Sequence, residues 1–218
     1  MSHIPILFED GEALVINKPS GLPIERPGRG GASLEDHFEE LKLGFQRAPM
    51  PVHRIDTDTS GCLLLARNAK ALKRFAKAFE ERVVEKRYLG VLSGVPADSE
   101  GTIELSLSKI SSAEKGWRMI AAKKGKPSIT HWRVLAEHGG HTLVEFRPET
   151  GRTHQIRVHC QAGLNLPLLG DPVYGNGKGA PRTMLHAAAL TVPRTGKPPI
   201  DAAAPLPRDF AALGFADG

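Results

Sequence analysis

His53-Arg54-Ile55-Asp56-Thr57-Asp58-Thr59-Ser60-Gly61-Cys62-Leu63-Leu64-Leu65-Ala66-Arg67-Asn68 joins a polar, non-periodic stretch to five consecutive apolar residues. A short apolar run bounded by turn-forming residues predicts a buried strand over 62–66. Asn68 is a good helix N-cap, and behind it Leu72, Phe75, Ala76 and Phe79 recur at i, i+3, i+4 and i+7. That spacing predicts an amphipathic helix, with Lys70, Lys73, Arg74 and Lys77 on its solvated side. Strand and helix therefore follow one another within thirty residues of the polar segment.

Upstream, Ile6-Leu7-Phe8 and Ala13-Leu14-Val15-Ile16 flank Asp10-Gly11, a dipeptide that tolerates the positive φ of a tight hairpin turn. Lys18-Pro19 then ends the second strand, because proline has no N–H for the ladder. The glycine-rich, basic stretch 27–31 reads as a surface loop. Ser33 with Asp36 resembles a capping pair, and Leu34, Phe38, Leu41 and Phe45 keep helical spacing. The segment 49–61 has no period and reads as a loop.

Downstream of Val83 the pattern is mostly strands: 87–92, 102–107, 117–121, 129–135 and 142–146, with Gly139-Gly140 as a hairpin turn. Thr153 is placed as an N-cap for a short helix carrying Ile156, Cys160 and Leu164 and ended by Gly163. No internal repeat or linker interrupts the chain. The expected fold is one α+β domain over 1–218, a mixed, largely antiparallel β-sheet with flanking helices.

The 218 residues hold 29 Lys+Arg against 24 Asp+Glu, a net charge of +5. A mild positive excess suits a polyanionic partner and suits a generic basic protein equally. No apolar run approaches the roughly 18 residues of a membrane helix, and the start lacks a secretory profile, so a cytoplasmic protein is expected. Cys62 and Cys160 are too isolated for a disulfide framework or a cysteine zinc site.

Three segments concentrate reactive groups. His53 to Gly61 carries a His, an Arg and two carboxylates; the plain alternative is a turn in which Asp58, Thr59 and Ser60 bond local backbone. Asp56, Asp58 and Ser60 also approximate a phosphatase motif. The prolyl, cationic approach over 49–54 and the lack of a downstream acidic pair for Mg²⁺ argue against it. Thr150-Gly151-Arg152-Thr153-His154-Gln155-Ile156-Arg157-Val158-His159 places Arg157 in the first turns of a helix. His154 and His159 are five apart, off one helical face, so zinc is not expected. Glu85-Lys86-Arg87-Tyr88 enters a strand through bases, where half-buried packing is the ordinary use of a tyrosine.

Taken in order, these motifs resemble the RluA-type family of RNA pseudouridine synthases. The resemblance also rests on Ile16-Asn17-Lys18-Pro19-Ser20-Gly21-Leu22, Pro167-Leu168-Leu169-Gly170-Asp171-Pro172-Val173-Tyr174-Gly175, Leu185-His186-Ala187-Ala188 and Ala204-Pro205-Leu206-Pro207. It implies an isomerase that detaches uracil from C1′ of a uridine, turns it and rejoins it through C5. Asp56 would be the catalytic carboxylate, as nucleophile at C1′ or base at C2′, with Arg157 as counter-cation. Tyr88 would stack on the base and take part in removing the C5 proton. Arg54 would fill the space of the flipped nucleotide, where pairing with Asp58 is its alternative; Leu185 would floor the uracil, where ordinary core is the alternative.

No step asks for a metal or organic cofactor. The implied partner is RNA, tRNA and/or rRNA, with no membrane and a monomer by default. The family pattern begins at Ile6, so a separate N-terminal RNA-binding module is not expected. Lys115, Arg118, Lys123, Lys124, Lys126 and Arg133, near Trp117 and Trp132, read either as an RNA-facing surface or as a solvated hairpin. A non-catalytic RNA-binding protein is the rival from another class; it has no use for Asp56, Tyr88 and Arg157 together.

Overall fold

The computed structural model describes residues 3–28, 30–112, 114 and 116–216. In chain order the elements are β1 (Ile6–Glu9), β2 (Ala13–Lys18), two 3₁₀ turns (Leu34–His37 and Glu40–Lys42), β3 (Met50–Pro51), β4 (Ser60–Ala66) and α1 (Ala69–Glu80). There follow β5 (Glu85–Leu92), β6 (Glu100–Ser112), β7 (Gly116–Ala121), β8 (Lys126–His138), β9 (His141–Pro148) and α2 (Gln155–Gly163). The last are β10 (Leu185–Val192), β11 (Ile200–Ala203) and α3 (Arg208–Ala212). They divide into two units, Met1–Lys86 with Ala187–Pro205, and Arg87–His186 with Leu206–Gly218. Arg29 of the glycine-rich loop and Lys115 of the basic run lie outside the described residues.

In the first unit β4 is buried along its whole length and pairs antiparallel with β2, from Ala13 opposite Ala66 to Lys18 opposite Gly61. Each fully buried leucine of such a strand contributes about 1.5–3 kcal/mol of apolar burial. The β1–β2 hairpin forms as expected, but for another reason than a glycine with positive φ. Asp10 Oδ1 accepts the N–H groups of Glu12 and Ala13 (2.8 Å each), and Gly11 keeps an ordinary φ. Arg67 ties the hairpin to its surroundings through Glu9 (2.7 Å) and the carbonyls of Asp10 and Lys42. The short β3 pairs with β4, so the loop over 49–61 begins only at Val52.

Two helical expectations shift. The spacing over 34–45 yields two short 3₁₀ turns rather than one helix, and Leu43 and Gly44, left-handed at φ 48° and 87°, end the second. The Asp36 carboxylate does accept the Ser33 N–H. In α1, Asn68 caps the Ala71 N–H at 2.9 Å, but the buried face centres on Ala71 and Phe75 while Ala76 is exposed. Ala71 lies four residues before Phe75 and so shares its face, whereas Ala76 is one residue past it and turns about 100° away.

Gly61 shows why its position admits no side chain. Its φ is +108°, and a Cβ there would stand 2.2 Å from the Ala187 carbonyl oxygen. Gly61→Ala is expected to destabilise the protein by more than about 3 kcal/mol, combining a forbidden φ with a backbone clash. Urea unfolding checks this; a shift below about 1 kcal/mol would refute it.

In the second unit β5, β9, β8, β6 and β7 form an antiparallel array in that order, with β8 and β9 joined at Gly139-Gly140, both at positive φ. One face carries the core: Leu92, Ile103, Trp132, Val144 and Phe146, with Ile156 and Cys160 of α2 and with Leu168 and Leu185. Gly163 lets α2 approach β6, since a Cβ would meet Ile103 Cγ2 at 2.7 Å; the left-handed residue beyond the helix is Asn165. Glu145 is buried between Arg87, Arg133 and Arg147. Burial pushes its carboxyl up, and the three guanidiniums more than offset that, holding it below the usual range.

Candidate active site

Asp56 lies on the turn over 56–59 that leads into β4, and its side chain is half-buried. Three successive carbonyls of that turn are tied down. The Asp56 carbonyl accepts the Thr59 N–H (3.1 Å), and the Thr57 carbonyl accepts the Gly21 N–H (2.9 Å) and Lys18 Nζ (3.0 Å). The Asp58 carbonyl accepts the Ser20 hydroxyl at 2.8 Å. Lys18 is completely buried and spends its other donors on the carbonyls of Pro19 and Leu22, 2.8 Å each. A buried ammonium is tolerable only when its protons are spoken for. Here three carbonyls do so, and the turn bearing Asp56 is clasped to the loop that follows β2. Sequence gave the Lys18-Pro19 strand end without this role; nothing local signals which way a lysine at a strand end will point.

His53 belongs to packing rather than chemistry. Its ring stacks on Phe79 (centroids 4.6 Å apart), and Nε2 accepts the Leu64 N–H at 3.0 Å. Burial, reinforced by the Lys86 charge, lowers its pKa to about 3. Arg54 beside it is exposed and forms no ion pair among the described residues, so the expected alternative of a bond to Asp58 is not what the structure holds.

Tyr88, Arg157 and Leu185 belong to the second unit. Tyr88 is half-buried in β5, opposite Phe146 and against the core. Leu185 opens β10 as a member of that core. Arg157 projects from α2 into a fork with Asp171, Nε to Oδ2 at 2.7 Å and Nη2 to Oδ1 at 2.9 Å. Asp171 is wholly buried and also accepts the N–H groups of Val173 and Tyr174. Burial raises its carboxyl, and Arg157 with those two N–H groups outweighs burial, so it stays ionised. Such a fork fixes the guanidinium plane. Sequence reasoning left Asp171 without a role, although Gly170-Asp171-Pro172 marks a tight turn.

The start of α2 differs from expectation. The residue before the helix is His154, left-handed at φ 53°, not Thr153. Gln155 fastens the entry: its Oε1 accepts from the Thr150 hydroxyl and Arg152 N–H, and its Nε2 donates to the Ile129 carbonyl and Thr130. His159 is buried on the same helix. Ser128 gives its hydroxyl proton to the Leu105 carbonyl, so His159 Nε2–H donates to Ser128 Oγ. Burial lowers the His159 pKa to about 4.

These two histidines set an acid limit. Both take up protons near pH 6.5 when unfolded and only near 3 and 4 when folded. Stability is therefore full above about pH 6.5 and falls as pH drops from there toward 4, because the unfolded state binds more protons. Thermal unfolding between pH 7.5 and 5 is expected to show a falling Tm, flattened in His159→Gln. A Tm independent of pH over that interval would contradict it.

Lys123, Lys124 and Lys126 are exposed at the β7–β8 turn, with no ion pair among the described residues. Trp117 is 48% exposed, whereas Trp132 is packed in the core. Among the described residues no helix is long and apolar enough to cross a membrane, and no three His, Cys, Asp or Glu are grouped to hold a metal.

A family model described as RNA pseudouridylate synthase matches residues 12–162. An uncharacterized RNA pseudouridine synthase of Zymomonas mobilis is 53% identical over 212 residues, 96% of this chain and 97% of that protein. Ribosomal large subunit pseudouridine synthase D of the same organism is 35% identical, over 96% of this chain and 71% of its own length. The solved structure of human RNA Pseudouridylate Synthase Domain Containing 1 superposes with a TM-score of 0.78 at 32% identity, covering 94% of this chain and 84% of that one. Fold and sequence together define an isomerase that acts on uridine in RNA. The chain belongs to the RNA pseudouridine synthase family, in its RluA-type branch. The phosphatase alternative falls with that membership.

Proposed function

We propose that this protein isomerises a uridine of rRNA to pseudouridine, with Asp56 as the catalytic carboxylate. The observation that carries the reading is the clasped turn over 56–59. With three carbonyls held by Lys18, Ser20, Gly21 and Thr59, the backbone that carries Asp56 is set before substrate arrives. Glycosidic cleavage leaves positive charge on the ribose, and a carboxylate aimed at C1′ or at the C2′ proton meets it. Arg157, aligned by Asp171, supplies the guanidinium that keeps the reacting carboxylate charged. Tyr88 stacks on the uracil and assists loss of the C5 proton, Leu185 lies beneath the base, and Arg54, exposed and uncommitted to an ion pair, fills the gap left by the flipped nucleotide.

Ribosomal RNA is preferred over tRNA because three of the matching relatives are named for the large ribosomal subunit. Both units are assigned to one catalytic domain, working as a cytoplasmic monomer. The test is release of tritium from C5-labelled rRNA and tRNA transcripts, followed by mapping of the product. Release from rRNA alone is expected; release from tRNA alone overturns the target, and release from neither overturns the reading.

Lys123, Lys124 and Lys126 are assigned to phosphates. Replacing all three by Gln should lower the salt dependence of RNA binding by about three units of log–log slope. An unchanged slope would return the turn to solvent.

A further inference from the structure

We propose that Trp117, backed by His154, is a stacking platform for an RNA base flanking the target uridine. The idea rests on the reading that Arg157 serves the target nucleotide. The Trp117 ring stacks on the His154 imidazole, with centroids 5.0 Å apart and planes 30° from parallel, yet almost half of the residue is open to solvent. The β6–β7 register, Ser111 opposite Trp117 and Lys109 opposite Met119, puts these four side chains on one face of the ribbon. Lys109 Nζ accordingly sits 5.1 Å from the centre of the Trp117 ring and has no ion pair among the described residues.

The platform is braced from behind. The Tyr174 hydroxyl accepts the Met119 N–H (3.0 Å) and is hydrogen-bonded to His154 Nδ1 at 2.8 Å. His154 is the left-handed residue immediately before α2, and the Tyr174 ring lies 5.0 Å from the Arg157 guanidinium. The ribbon is thus fastened to the start of the helix that carries Arg157, three residues further on. An exposed tryptophan normally loses rotamer freedom on binding; this one is already ordered from beneath. Its neighbours Lys109 and Ser111 are polar, which suits a nucleotide better than an apolar protein surface. A base brings a π-face to the ring and a phosphate to the ammonium.

Trp117→Ala should raise KM for C5-tritiated rRNA transcript about tenfold with kcat within twofold, and Trp117→Phe should stay within twofold of wild type on both. Binding of a mixed-sequence 12-nucleotide RNA should quench the fluorescence of wild type, and that quenching should vanish in Trp117→Phe, because Trp132 is buried. An unchanged KM in Trp117→Ala, a loss confined to kcat, or quenching that survives in Trp117→Phe would each overturn the platform. Should wild type release no tritium while the quenching assigned to Trp117 is present, the assigned reaction fails and the platform stands.

Discussion

Asp56→Asn is expected to lower tritium release from C5-labelled rRNA by at least about 10³-fold, with a Tm within about 2 °C of wild type. The first part follows from the chemistry: an amide is neither a nucleophile at C1′ nor a base at C2′, and groups in such roles are worth factors of about 10²–10⁴ or more. The second follows from the way the turn is held. Every tie to Lys18, Ser20, Gly21 and Thr59 runs to a backbone carbonyl, so exchanging one side-chain oxygen for nitrogen leaves them in place. Circular dichroism and thermal unfolding beside the activity assay separate the two. Retention of a tenth of the activity would remove Asp56 from the catalytic role.

Asp171→Ala is expected to destabilise the protein by about 3–5 kcal/mol, the usual result of removing one partner from a buried ion pair. The Arg157 side chain is only 7% exposed, so its charge would remain in the interior without the fork, and the N–H groups of Val173 and Tyr174 would lose their acceptor. Asp171→Asn, which retains one oxygen, should fall between. Urea unfolding gives the magnitude, and a change below about 1 kcal/mol for Asp171→Ala would show that water replaces the carboxylate.

Much of the fold was legible. The apolar run of β4, the Asn68 cap and the strand-rich second half carry periodicities that depend only on neighbours in the chain, and each appears in the structure. The helical spacing over 34–45 misled: the segment forms two short 3₁₀ pieces, and the left-handed Leu43 and Gly44 stop it before Phe45. Thr153 misled for a related reason: His154 takes the left-handed corner, and Gln155 fastens the entry to Ile129 and Thr130. Among the candidate residues, Asp56, Tyr88 and Arg157 stood out through motif order, whereas Asp171 did not, although its partner was named.

The sequence by itself determined the kinds of element, the family and the segment that bears Asp56, since these rest on residue type and short spacing. Only the tertiary structure decided that Lys18 is buried with Thr57, 39 residues away, as an acceptor, that Asp171 aligns Arg157 from 14 residues away, and that Gly61 lies against the Ala187 carbonyl. The physical reason is that solvation of a charge and room for a Cβ depend on which distant backbone comes within a few ångströms, and no local pattern encodes that.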